Sequence, residues 1–110
     1  MSTLIHRNLA LLERLHRARP GARRTILKNA DADFLNALCE IALNILRGKI
    51  PLTAKQYALL KKRKEHVRLI ADKRINFTRK KKIINQRGHG FILPLLGAAL
   101  PFITSLFSRG

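Results

Sequence analysis

Residues 31–56, DADFLNALCEIALNILRGKIPLTAKQ, hold two helix starts and one helix stop. Asp31 or Asp33 offers an N-cap, and Phe34, Leu35, Leu38, Ile41, Ala42, Ile45 and Leu46 follow at helical spacing. Gly48 stands where a left-handed φ closes a helix, and Pro51 prevents continuation. Thr53 then reopens the pattern: with Gln56 three residues on it forms a capping box, and Leu52 and Tyr57 are placed as a hydrophobic staple. Asp31, Asp33 and Glu40 are three of only 6 acids in the chain, and the first two lie at the positive end of the first helix dipole. This punctuation predicts an all-α fold.

On the N-terminal side, residues 3–18 predict a helix with Leu4, Ile5, Leu9, Leu11, Leu12 and Leu15 on a broad apolar face and Arg7, Arg14 and Arg17 outside it, ended by Pro20-Gly21. Arg23 to Asn29 predict a short helix with Ile26 and Leu27 inward. On the other side, Tyr57, Leu60, Val67, Ile70 and Ala71 keep one apolar face, while Lys55, Lys61, Lys62, Arg63, Lys64 and Arg68 take the rest. Asp72 to Phe77 read as a connection whose Ile75 and Phe77 plug the core; Thr78 caps a last short helix ending near Gln86, with Gly88 as terminator. The expectation is a small helical domain of three to four short amphipathic helices with a basic segment and an apolar C-terminal tail. Its parts are an N-terminal amphipathic helix (1–19), a basic helical domain (22–87), a glycine hinge (88–90) and the tail (91–110). These helices bury few large side chains, so self-association or a polyanion is expected to help the chain fold.

Charge decides the class of partner. Lys and Arg number 23 and the formal net charge is +17 in 110 residues. Such an excess opposes compaction and favours a polyanion over catalysis. Three runs concentrate it: Arg17, Arg19, Arg23 and Arg24; Lys61, Lys62, Arg63 and Lys64, with Arg68 following; and Arg79, Lys80, Lys81 and Lys82, with Arg87 beyond. With no Trp and one Tyr there are few platforms for stacking single-stranded bases, so the expected ligand is double-stranded DNA held by its backbone with little sequence preference. No enzyme, cofactor or metal site is expected: no nucleophile-elbow spacing occurs, and His6, His16, His66 and His89 with the lone Cys39 follow no zinc pattern. Cys39 falls among apolar helix positions and reads as a buried thiol, consistent with a reducing compartment. Met1 to Arg19 mix leucines with charges, so no secretory leader is expected there.

The tail carries Phe91, Ile92, Leu93, Leu95, Leu96, Leu100, Phe102, Ile103, Leu106 and Phe107 and no charge from 91 to 107. As a helix it reaches ~25 Å at ~1.5 Å per residue, short of the ~30 Å hydrocarbon core, and Pro94, Gly97 and Pro101 interrupt it. It reads as an interfacial, membrane-active or partner-bound segment rather than a stable anchor, with folding onto the helical core as the alternative.

The junction carries a resemblance. A basic stretch, then Gly, then Phe91-Ile92-Leu93-Pro94-Leu95-Leu96 and a proline-interrupted Ala/Leu run, over roughly residues 79–107, resembles the end of the precursors of adenovirus core protein X (mu) and the small core proteins of adintoviruses and the related Polinton (Maverick) elements. Gln86-Arg87-Gly88-His89-Gly90 is similar to the adenoviral maturation-protease pattern, with cleavage before Gly90. This chain departs from core protein X in being Lys-rich as well as Arg-rich and in having an organised helical region before the junction. The resemblance implies a DNA-condensing late protein of a virion core, acting in the host nucleus, and processed by a maturation protease at Gln86, Gly88, His89 and Gly90. Two other readings stand beside it: a basic protein docking on anionic membrane through its tail, and a helical assembly protein forming a homo-oligomer.

Overall fold

The computed structural model describes residues 3–87 and 90–108. Among them are eight helices and no strand: α1 (Thr3–Arg7), α2 (Leu9–Arg17), α3 (Pro20–Lys28), α4 (Ala32–Leu46), α5 (Ala54–Lys61), α6 (Lys64–Ala71), α7 (Phe77–Arg87) and α8 (Ile92–Ser108). The all-α class stands; the count of three to four helices is corrected to eight among the described residues, because two expected helices break in the middle and the apolar tail is itself helical.

The breaks have local causes. At Asn8 the side-chain amide donates to the Leu4 carbonyl and to Asp33 Oδ2, both at 2.9 Å, which separates α1 from α2 and ties the step to α4. Pro20 does not end the first helix but starts α3 at N1, where its missing N–H is no loss. The expected helix after Thr53 divides at Lys62-Arg63 into α5 and α6. Tyr57, placed on its apolar face by spacing, is 55% exposed, while Leu60, Val67, Ile70 and Ala71 are buried.

The strongest signals form as read. Asp31 Oδ1 accepts from the Phe34 amide at 2.8 Å and opens α4. Gly48, at φ 72°, closes it: the Gly48 amide donates to Ile45 and the Lys49 amide to Asn44, the two bonds of a Schellman motif. Thr53 and Gln56 exchange both capping-box bonds. The last cap is corrected. Asn76, not Thr78, starts α7, its Oδ1 accepting from the Arg79 amide at 2.9 Å. In the preceding turn Ile75 is half-buried and Phe77 is 41% exposed, so neither plugs the core; Ile84 does so instead.

The largest correction concerns 91–107. Instead of standing apart, α8 packs against α2, α4 and α5. Phe91, Ile92, Leu95, Leu96 and Ile103 are fully buried, Leu100 nearly so, and Leu93, Phe102, Leu106 and Phe107 are half-buried. Phe91, Ile92, Leu95, Leu96, Leu100 and Ile103 share one hydrophobic cluster with Ile5, Leu12, Leu15, Leu38, Ile41 and Ile70, and Phe102 and Phe107 pack against it, so segments expected to be separate form a common core. A helix apolar all round belongs inside a bundle. Burying six large side chains contributes roughly 9–18 kcal/mol as an upper figure. Pro94 lies in the first turn, where its absent N–H has no intrahelical partner to lose; Pro101 is interior, facing solvent. Among the described residues no helix is long and apolar enough to cross a membrane.

Candidate nucleic-acid interface

The three basic runs lie on elements that α7 joins. α3 packs on α2 and α7, α6 packs on α7 and α5, and α7 lies between α3 and α6. Its placement is fixed by Asn85, whose amide donates to the Leu27 carbonyl at 3.4 Å, and by Lys81, whose Nζ donates to the Ala30 carbonyl at 3.1 Å.

In the first run Arg17, Arg19 and Arg24 are exposed. Arg23 is half-buried and serves the fold: its Nη2 donates to the Ala18 carbonyl at 2.9 Å, bracing the α2–α3 turn, while its Nε is enclosed without a partner. Arg14 and Lys28, outside the predicted run, are exposed and extend it. Their signal was spacing: Arg14 with Arg17 and Arg24 with Lys28 stand one helical turn apart and share a face. Between α2 and α3 runs an open groove of about 700 Å³ with Arg14 and Arg17 on its edge and Ala10, Ala18 and Ala22 in its lining.

The second run lies at the α5–α6 corner, where Lys61, Lys62, Arg63, Lys64 and Arg68 are all exposed. Lys61 Nζ lies 5.9 Å from the centroid of the Tyr57 ring. The Arg63 guanidinium packs over Gly90, where a Cβ would come within 2.8 Å of its Cζ, so a side chain there would displace the end of this flexible arginine.

The third run is only half a cationic surface, which corrects the expectation that Arg79, Lys80, Lys81 and Lys82 all stand ready for a duplex. Arg79 and Lys82 are exposed, but Lys80 is 7% exposed and Lys81 is half-buried, bonded to Ala30 with its Nζ 5.7 Å from the Phe77 ring centroid. A helix that docks on three neighbours, α3, α4 and α6, cannot present four consecutive side chains to solvent. Gln86 is exposed; the Arg87 side chain, Gly88 and His89 lie outside the described residues, and Gly90 has 3₁₀ conformation two residues ahead of α8.

The acids leave the runs unneutralised. Arg7 pairs with Asp33 at 2.7 Å and Arg74 with Asp72 at 2.9 Å, so two of the 6 carboxylates are matched by arginines outside the runs. Hydrogen bonds from Arg7 and Asn8 hold Asp33 below the usual carboxylate range, and those from the Arg74 side chain and amide hold Asp72 at about 2. Asp31 is spent as a cap and Glu13 accepts from Thr104 at 3.4 Å. Glu65 stands within the second run, in the first turn of α6, and Glu13 lines the α2–α3 groove beside Arg14 and Arg17. α3 and α7 begin without an acid, so their dipoles add to the positive potential.

Cys39 is buried on α4, and desolvation pushes its thiol pKa up against the opposing pull of Lys80, so it is a neutral thiol at physiological pH. Among the described residues no three His, Cys, Asp or Glu side chains converge as metal ligands. The chain matches no protein-family model, and no curated protein or solved structure is significantly similar to it.

Proposed function

We propose that this protein binds double-stranded DNA through its phosphates, without sequence preference, and condenses it in the core of a virus or virus-like element. The supporting observation is the set of exposed cations on α2, α3, the α5–α6 corner and α7, left free by acids that are committed elsewhere. The body measures 34 × 29 × 27 Å and carries +17. A duplex segment ~34 Å long carries about 20 phosphate charges, so one molecule nearly neutralises one turn. Arg14, Arg17, Arg19, Arg24, Lys28, Lys61, Lys62, Arg63, Lys64, Arg68, Arg79 and Lys82 are the contacts of this reading; Arg23 and Lys81 support the fold. The cations occupy separate parts of the bundle, which suits one molecule to touch two duplexes at once and draw them together.

Fluorescence anisotropy with a short random-sequence duplex at increasing salt tests this. Affinity is expected to fall steeply, the logarithmic slope being about −0.9 for each phosphate neutralised, and to be equal for unrelated sequences. Replacing Lys61, Lys62 and Lys64 together with Ala is expected to reduce the slope by up to about three. A slope near zero contradicts the reading.

A further inference from the structure

α4, α7 and the turn between α6 and α7 enclose a groove of about 630 Å³, lined among others by Cys39, Asn44, Arg47, Lys49, Lys73 and Lys80. That is the size of a small-ligand site rather than of a duplex footprint. Lys80 is 7% exposed and Asn44 8%, so the inner wall carries a largely buried lysine and a largely buried asparagine. The Lys80 ammonium hydrogen-bonds the Cys39 sulfur, a weak acceptor, and has further donors to offer an anion. Four cations, Arg47, Lys49, Lys73 and Lys80, face one acid, Glu40, an excess of three positive charges around the lining. Asp72 is near enough for its charge to be felt with that of Lys80, but Arg74 holds both its oxygens. Cys39 brings no negative charge, for the reason given above.

We propose that this groove binds a phosphate-bearing anion, with Lys80 and Asn44 on its inner wall and Arg47, Lys49 and Lys73 gathering the outer oxygens. Duplex binding by the exposed runs does not require it: Lys80 is too enclosed to meet the convex backbone of a duplex, and Arg47, Lys49 and Lys73 belong to none of the three runs. The phosphate that fits is one that projects, either the end of a free polyphosphate chain or the terminal phosphate of a nucleic-acid strand.

NMR of the full chain tests the assignment, with sodium tripolyphosphate in one arm and short duplexes bearing either a 5′-phosphate or a 5′-hydroxyl in another, at matched ionic strength. The Asn44 side-chain amide is expected to shift saturably. Lys80→Met is expected to weaken this response at least tenfold, and Lys73→Ala, an exposed position where folding is not at risk, several-fold. A response to tripolyphosphate identifies a free polyphosphate ligand; a response only to the 5′-phosphorylated duplex identifies a strand end. Shifts confined to exposed lysines and arginines with Asn44 silent, or an Asn44 response unchanged in Lys73→Ala, overturn the proposal. A silent Asn44 with steeply salt-dependent duplex binding removes the groove alone, and a responsive Asn44 with a flat salt dependence removes duplex binding alone.

Discussion

Asp72 and Asp33 set the acid limit of the fold. Each is a carboxylate whose protonation is opposed by arginine hydrogen bonds in the folded chain and by nothing comparable in the unfolded one. Their contribution is therefore complete above about pH 5, where both are ionised even when unfolded, and is lost as pH falls through the depressed folded values, about 2 for Asp72. Melting temperature is expected to drop between those limits, and the drop is expected to shrink in Asp72→Asn; an identical profile in that variant contradicts the assignment. Asn76 makes a separate point. Asn76→Ala is expected to cost about 0.5–2 kcal/mol through loss of the α7 cap, while Thr78→Ala stays within about 0.5 kcal/mol. Chemical denaturation of both variants checks this, and a larger effect at Thr78 contradicts it. Asp31, Gly48 and Thr53 were legible in the sequence because each cap is closed by residues two to four positions away. Asn76 was not distinguished from Thr78 because both are good capping residues, and docking of α7 on α3 and α6 decides where the helix begins.

At the scale of elements, α8 is where sequence reading went furthest astray. Its apolarity was plain, but apolarity does not name its partner, and lipid, a protein groove and the chain's own core all accept the same side chains. The faces of α2, α4 and α5 settle the matter, and no short window contains them together. Leu95 is fully buried, so Leu95→Ala is expected to cost about 2–5 kcal/mol in a denaturant titration; a change under about 1 kcal/mol contradicts the packing. The same burial changes what a cut before Gly90 would do. With Phe91, Ile92 and Leu96 in the core, and His66 stacked on Phe91 at 5.8 Å, a nicked chain is expected to remain a two-part complex rather than shed its C-terminal piece. Native mass spectrometry after the cut reads this directly: one mass equal to both fragments supports it, and separate fragments contradict it.

At the scale of the whole molecule, composition made the charge excess visible at once, but not its geometry. Lys80 shows why. Four consecutive cations look equivalent in a string, yet helical rotation turns one of them toward Cys39 and Asn44, residues far away in the chain. Apart from Arg23, the runs on α2–α3 and on the α5–α6 corner kept their exposure because their helices pack through other faces. What remains outside is a small bundle whose cations are distributed around it and whose acids are largely committed to caps and to arginines elsewhere. Such a body is expected to aggregate long duplex DNA near charge equivalence and to release it in high salt, which light scattering would follow.

The most direct test of the central claim is the salt dependence of binding to a short duplex, read as the slope of log affinity against log salt. Twelve exposed cations in the runs and their extensions predict a steep negative slope, with several phosphates neutralised per molecule and the same value for unrelated sequences. A slope near zero, or no binding even in dilute buffer, would contradict it.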